Sequence, residues 1–395
     1  MNVLTDGAHT DLGEYVGQSL RAGSVPLPVM AVRLTALEDN VARLASYCRD
    51  HELLLAPHAK THLTAQIAQR QLAGAWGLTA ANVQQAEVEL GFGARRVLIA
   101  NEVTGRASID RLRRLLDADP GARVHCLVDS AVGVDLLDAG FASAAAPLGV
   151  LVEFGHLGRR AGARDAAAAL AVAERVVAAD HLELVGVGMF EGAVAADRSP
   201  AALERIDAAV GGMVDFALDV DRRGLFSAGG KPIVTAGGTL FFDHVVEAFA
   251  RLPRGRYDVI LRSGAYVVHD DRHYRELSPL PFTPALEVWA DVLSVPERHL
   301  AIIGAGKRDV PWDQGLPVVK GWVRNGERRP APPDWVVTDT NDQHAFVRIG
   351  EDAPVPGDIV VLGISHPCTA FDRWRSVLAV TDEDVVTACW PTYFS

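Results

Sequence analysis

Four cysteines in 395 residues, Cys48, Cys126, Cys368 and Cys389, are too few and too scattered for a disulfide framework, and no CxxC pair occurs. Such usage belongs to a reducing compartment. No stretch reaches the roughly 18 consecutive apolar residues that read as a membrane span. The opening, MNVLTDGAHTDLGEY, lacks the basic n-region and apolar core of a secretory signal. Positive charge is in deficit, with a formal net charge of −12. That argues against nucleic acid or an anionic membrane surface as the main partner. A small anionic ligand stays open, because it needs only local donors. Internal repeats and disordered linkers are missing too. A cytoplasmic location is the expectation from these absences.

What is present describes an ordinary soluble globular protein, 49% hydrophobic and 22% charged. The length exceeds one typical domain and suits a barrel of about 250 residues plus a smaller second domain. From about residue 28 to 270, short apolar runs alternate with Ala/Leu/Arg-rich segments of helical period. Candidate strands are 53–56, 76–79, 96–100, 124–129, 149–154, 184–189, 232–235 and 257–262. Between them, 82–91, 106–118, 163–179 and 201–223 have the length and alanine content of helices, with Ser108 and Asp110 as caps before RLRRLL. Eight strands separated by helices give a (β/α)8 barrel or a doubly wound sheet. After about residue 280 proline becomes frequent and short β-branched runs take over, at 286–294, 300–303, 317–323, 335–338, 345–348, 358–361 and 377–380. Turn signals such as Asn325-Gly326 and Pro356-Gly357 separate them, which predicts an all-β domain. The domains expected are 28–275 and 276–395; residues 1–27 are too short for a domain of their own and can join the second.

In a parallel barrel, functional groups collect at the C-terminal ends of the strands. Strand one ends in PHAKTH, placing Lys60 between His58 and His62 directly after an apolar run. Desolvation there favours the neutral amine, the form that attacks a carbonyl to make a Schiff base. Strand five ends in EFGHLGRRAG, with Arg159 and Arg160, and strand six in MFEGA, with Glu191. Strand seven ends in TAGGT and strand eight in RSGAY, two small-residue turns that gather N–H groups and hydroxyls as a phosphate site does. A reactive lysine with two such turns points to a phosphate-bearing aldehyde, and pyridoxal 5′-phosphate is the natural candidate. In the second domain, His366 and Cys368 in SHPC lie two apart. On an extended segment they face one side and could bind one ion, one N and one S donor suiting Zn2+. Asp342 and His344 are further candidates for that pocket, although a turn cap explains Asp342 equally well.

These motifs together resemble the D-serine dehydratase and D-threonine aldolase group, fold type III (alanine-racemase-like) pyridoxal-phosphate enzymes. The resemblance runs through PHAKTH, LIANEV at 98–103, EFGHLGRRAG, FEG at 190–192, AGGT, SGAY, DQHAF and SHPCTAFD. It implies a cofactor-binding (β/α)8 TIM-type barrel followed by an all-β domain, and a homodimer. It implies Lys60 as the lysine that carries the cofactor and Arg160 as the arginine facing its phenolic oxygen. Thr235, Gly237, Gly238, Thr239, Ser263, Gly264 and Tyr266 would cradle the phosphate. His366 and Cys368 would bind a divalent metal, Zn2+ first and Mn2+ or Mg2+ as alternatives. The aldolase branch more usually carries His-x-Asp there, so Cys368 tilts the expectation toward dehydration. Departures from the family pattern are Phe190 in place of a tyrosine, Leu157 and Ala193; they bear on the substrate rather than the cofactor.

The expected activity is therefore that of a lyase on D-3-hydroxy amino acids, first as a dehydratase giving a 2-oxo acid and ammonia. The alternative is retro-aldol cleavage to glycine and an aldehyde. A racemase would need a second base, commonly a tyrosine from the β domain, and only Tyr393 follows residue 280. A non-catalytic cofactor carrier would need no second domain.

Overall fold

The computed structural model describes residues 12–394. They divide into two compact units, one of residues 41–266 and 277–281, the other of residues up to 40, 267–276 and 282–395. The first strand, β1 (Val29–Arg33), belongs to the second unit, where it runs antiparallel to β10 (Leu286–Glu297) and parallel to β17 (Ser376–Val380). Residues 28–40 and 267–276 thus go with the β unit rather than the barrel. The reason is physical: Val29 to Val32 are buried on both faces, a pattern that suits a barrel strand and a central sheet strand equally.

The barrel unit holds eight parallel strands: β2 (Leu54–Leu55), β3 (Leu78–Ala80), β4 (Arg96–Glu102), β5 (Arg123–Val128), β6 (Leu148–Glu153), β7 (Leu182–Gly188), β8 (Ile233–Ala236) and β9 (Asp258–Leu261). The hydrogen-bonded path runs β2-β9-β8-β7-β6-β5-β4-β3. Its two ends meet through Trp76 N–H to the Leu55 carbonyl (2.8 Å), Thr79 N–H to the Pro57 carbonyl (2.9 Å) and Thr79 Oγ1 to the Ala56 carbonyl (2.6 Å), so the sheet closes on itself. Inside it Ala56, Leu98, Leu127, Leu151, Ile233 and Ile260 pack together. Burial of each large aliphatic chain contributes about 1.5–3 kcal/mol.

Crossover helices follow the strands. The longest, Pro200–Arg222, shows how local sequence decides its ends. Ser199 caps it by accepting the Ala202 N–H, and proline sits in its first turn. Ile206, Val210, Met213, Val214, Ala217 and Val220 form its buried stripe, at the spacing of one helical face. Gly224 then turns the chain at φ +66°. The helix expected at 106–118 occurs as Arg106–Ala118, but Gly105 is its N-cap. Ser108 and Asp110 lie within its first turns, not at its cap. The signal was misread because serine and aspartate are also tolerated at early helical positions.

The second unit is an all-β assembly of β1 with β10 (Leu286–Glu297), β11 (Leu300–Ile303), β12 (Val318–Arg324), β13 (Glu327–Pro330), β14 (Val336–Thr340), β15 (Ala345–Arg348), β16 (Ile359–Gly363), β17 (Ser376–Val380) and β18 (Val386–Pro391). The main path is β13-β12-β16-β10-β1-β17-β18. Asn325 (φ 52°) and Gly326 (φ 78°) turn β12 into β13, the positive-φ pair a two-residue hairpin demands. Residues 12–27 pack on this unit: Leu20 and Val25 join its core, and Gly17 and Leu20 N–H groups donate to Val386 and Asp384 carbonyls. Residues 1–11 lie outside the described residues.

Candidate active site

Lys60 sits on a short 3-10 turn, Ala59–Thr61, directly after β2 and at the C-terminal mouth of the barrel. Gly264, after β9, presses against this turn; a Cβ there would stand 2.3 Å from the His58 carbonyl oxygen. Only glycine allows that approach, which brings the ends of barrel strands one and eight together.

The two histidines beside Lys60 have different surroundings. Burial, and then the positive charges of Lys60, Arg262 and Arg160, push the His58 imidazole well below its usual range, so it is neutral. Its buried Nδ1 has no hydrogen-bond partner. His62 is wholly buried. Its Nδ1 accepts the Thr64 N–H (3.1 Å), so Nε2 carries the proton and donates to Gln71 Oε1 (2.9 Å). Gln71 Nε2 in turn donates to the Tyr266 hydroxyl (3.3 Å). Burial lowers His62 to about 4. His62 therefore ties the lysine turn to the strand-eight turn.

The phosphate-type turns are heavily braced. Thr235 Oγ1 donates to the Ile260 carbonyl (3.0 Å), and Ser263 Oγ reaches the carbonyls of Gly237 (3.1 Å) and Gly238 (2.9 Å). Gly237 adopts φ +100°, which a side chain would resist. The N–H groups of Gly237 and Gly238 donate to Glu191 Oε2 (3.0 Å) and Oε1 (2.5 Å). Thr239, Gly264 and Tyr266 complete the set that the sequence brought forward.

Arg160 places its guanidinium 5.1 Å from the centre of the Phe190 ring, a cation–π contact made with the residue that replaces the family tyrosine. Sequence reasoning did not bring forward two further groups at this mouth. Arg262 is buried, donates through Nη2 to the Met189 carbonyl and has an unpartnered Nε. Glu102 and Glu153, from β4 and β6, form a carboxyl pair; burial and then the hydrogen bond to Glu153 raise Glu102, so that it holds a proton. Their position at strand ends was a usable signal, but the pairing is not, because the two belong to strands that are not neighbours.

His58 Nδ1, Arg262 Nε, Glu153 Oε2 and Glu102 Oε1 are all buried and unpartnered. Buried polar atoms without partners are costly, and four of them on groups at the barrel mouth fit a ligand rich in polar atoms, as pyridoxal phosphate is.

The second candidate centre lies in the all-β unit. His366 is extended, but Pro367–Thr369 is a 3-10 turn, so the extended-segment geometry expected from the sequence does not hold. Cys368 nevertheless hydrogen-bonds His366 and also the Tyr274 hydroxyl. His366 Nδ1 donates to Asp313 Oδ2 (2.6 Å), and Thr369 Oγ1 to Asp313 Oδ1 (2.7 Å). Burial lowers His366, but the Cys368 sulfur and then Asp313 outweigh it and hold the ring at about 9. His273 and Tyr274 rings lie 6.2 and 6.0 Å from His366. Asp313 was not legible in the sequence, since 53 residues separate it from His366. Asp342 and His344 line a pocket with Lys307, in a turn where the Asn341 N–H donates to the His344 carbonyl (2.9 Å). Among the described residues, no three His, Cys, Asp or Glu side chains form a metal-binding group. The donors fit a cation held by two protein atoms, with Asp313 fixing the imidazole so that Nε2 is left to coordinate.

Residues 32–225 match the family model "Alanine racemase, N-terminal domain", and residues 285–380 match "Putative serine dehydratase domain". The chain is 27% identical to a D-threonine aldolase of Arthrobacter sp. over 371 residues, 93% of this chain and 92% of the relative. It is 27% identical to a 3-hydroxy-D-aspartate aldolase of Paracoccus denitrificans over 328 residues, 81% and 83% of the two chains. The crystal structure of the D-threonine aldolase from Filomicrobium marinum superposes with a TM-score of 0.80 at 26% identity, covering 93% of this chain and 95% of that one. The chain thus joins an alanine-racemase-type N-terminal domain to a serine-dehydratase-type second domain, and the proteins it is similar to include D-hydroxy amino acid aldolases of the alanine-racemase-like, fold type III group.

Proposed function

We propose that this protein is a pyridoxal-phosphate-dependent lyase acting on D-3-hydroxy amino acids. The observation that carries the reading is Lys60 at the end of the first barrel strand, beside buried polar atoms that lack partners and across from two braced turns. Lys60 would hold the cofactor through Nζ, and Arg160 would meet its phenolic oxygen. Its phosphate would lie at the turns built from Thr235, Gly237, Gly238, Thr239, Ser263, Gly264 and Tyr266. The bound cofactor supplies an electron sink for negative charge at Cα. A divalent cation, Zn2+ or alternatively Mn2+ or Mg2+, would be held by His366 and Cys368 and would supply Lewis acidity toward a substrate oxygen.

The protein's own groups divide the remaining work. The neutral His58 ring faces the lysine without adding charge. The His62–Gln71–Tyr266 chain holds the two turns in register. In dehydration, Lys60 Nζ, released when the substrate amine takes its place, accepts the Cα proton as general base; the 3-hydroxyl departs with a proton as water, and the enamine left behind takes up water to give the 2-oxo acid and ammonia. In aldol cleavage, the 3-hydroxyl gives up its proton, the Cα–Cβ bond breaks to release an aldehyde, and Cα takes up a proton to give glycine. The expectation from sequence put dehydration first, on Cys368. The aldolase relatives, which span more than four-fifths of the chain, give aldol cleavage at least equal support. One assay separates them. The full-length protein is incubated with pyridoxal phosphate, Zn2+ or Mn2+ and a panel of D-3-hydroxy amino acids. Ammonia with a 2-oxo acid marks dehydration, glycine with an aldehyde marks aldol cleavage, and turnover of L-isomers alone would overturn the proposal.

A further inference from the structure

The Glu191 carboxylate, at the barrel mouth, is bound by backbone N–H groups as an anion is bound. It follows β7 on the short turn Glu191–Ala193 and is fully buried. Its two oxygens take the N–H groups of two successive glycines, Gly237 at 3.0 Å and Gly238 at 2.5 Å. Converging N–H groups of this kind form a concavity that selects an anion. On the opposite side of the same turn, Ser263 Oγ reaches both glycine carbonyls. The turn is thus clamped at its donors by Glu191 and at its acceptors by Ser263. A Cβ on Gly238 would stand 3.1 Å from Glu191 Oε1 and 3.0 Å from the Phe190 ring. The fit is tight enough that the carboxylate has little room to withdraw. Arg262, buried nearby, interacts with Glu191 more strongly than with Glu153, so the carboxylate has its counter-charge inside the protein.

These bonds change what the turn can offer a phosphate. The Gly237 and Gly238 N–H groups and the Thr235 hydroxyl already have acceptors within the protein. For a phosphate to use the glycine N–H groups, a wholly buried carboxylate would have to leave them and find other donors, at a heavy desolvation cost. We infer that Glu191 is a positioning residue for phosphate binding: it stays on the inner N–H groups of Gly237 and Gly238 and sets the turn, so that the phosphate is received by Thr239 and by the turn that starts at Gly264. This inference rests on the proposal that Lys60 carries pyridoxal phosphate, and it reassigns four of the seven residues of the expected cradle, Thr235, Gly237, Gly238 and Ser263, from contact to framework.

The test uses two ligands that differ only in the phosphate. The full-length protein, freed of cofactor, is titrated with pyridoxal phosphate and with pyridoxal while the absorbance of the bound aldehyde is followed. Glu191→Gln keeps the shape but sets an amide NH2 against a glycine N–H, donor to donor. Pyridoxal phosphate should bind about tenfold or more weakly to it, while pyridoxal binding stays within about twofold. Glu191→Asp, which keeps the carboxylate, should recover part of the loss, and it gives the same reading if Glu191→Gln does not fold by circular dichroism. Equal weakening of both ligands would overturn the inference in favour of a general structural role. Tighter binding of pyridoxal phosphate to Glu191→Gln would overturn it by showing that the carboxylate competes with the phosphate. Failure of the unaltered protein to bind either ligand would remove the proposal beneath it instead.

Discussion

Single side chains carry most of the functional claim, and Asp313 is the one that sequence could not supply. By accepting from His366 Nδ1 it fixes the ring's orientation. Asp313→Ala should therefore lower divalent-cation affinity about 10- to 100-fold, measured by competition with a chromogenic chelator. Unchanged affinity would separate Asp313 from any metal role. The placement of Lys60 at the barrel mouth and of His366 beside Cys368 was legible because each stands in a motif whose neighbours constrain it. Asp313 and the Glu102–Glu153 pair were not, because their partners come from distant strands and loops. The fate of the double-glycine turn was half legible. Its positive φ follows from glycine, but the acceptor of its N–H groups, Glu191, lies 46 residues upstream.

Elements show the same division between local and long-range information. The helices and strands between residues 53 and 262 lie close to where periodicity puts them, because each is fixed by its own apolar spacing. The strand Val29–Arg33 went to the other unit, because spacing does not name a strand's partner. What holds β1 there includes a buried charge network. Arg33 pairs with Glu287 (2.8 Å) and Asp384, and Arg328 pairs with Glu287 (2.9 Å) and Asp384 (2.7 Å). Asp384 is fully buried and also pairs with Arg21, so Asp384→Ala would remove one acceptor from Arg33 and Arg328, which keep Glu287, and the carboxylate that Arg21 pairs with. Loss of about 3–5 kcal/mol is expected, read from the denaturant midpoint. Helix Val83–Gly91 carries a different strain. Glu89 is fully buried, neither of its carboxyl oxygens has a partner, and burial pushes it well above its ordinary value of 4.5. A raised acid favours the fold while it is neutral. Its contribution is whole below about 4.5, where the unfolded chain is also protonated, and is lost as pH climbs toward the folded value. Glu89→Gln, which cannot ionise, should gain stability relative to the unaltered protein between pH 4 and pH 8. Parallel stability curves over that range would refute this.

At the scale of the whole molecule, the barrel and the all-β unit each bring one candidate centre. Chelation should then abolish turnover of D-3-hydroxy amino acids while the absorbance of the bound aldehyde persists, and loss of both together would show that the two centres are not separate. Among the described residues no helix is long and apolar enough to cross a membrane, and a homodimer, which the family resemblance implies, is checked by light scattering.

The central claim is that Lys60 carries pyridoxal phosphate. Borohydride reduction of the cofactor-loaded protein, followed by peptide mass spectrometry, tests it most directly. The account expects the added mass of a reduced pyridoxyl phosphate on the peptide containing Lys60, and none in Lys60→Ala. The same mass on another lysine, or on no peptide at all, would contradict it.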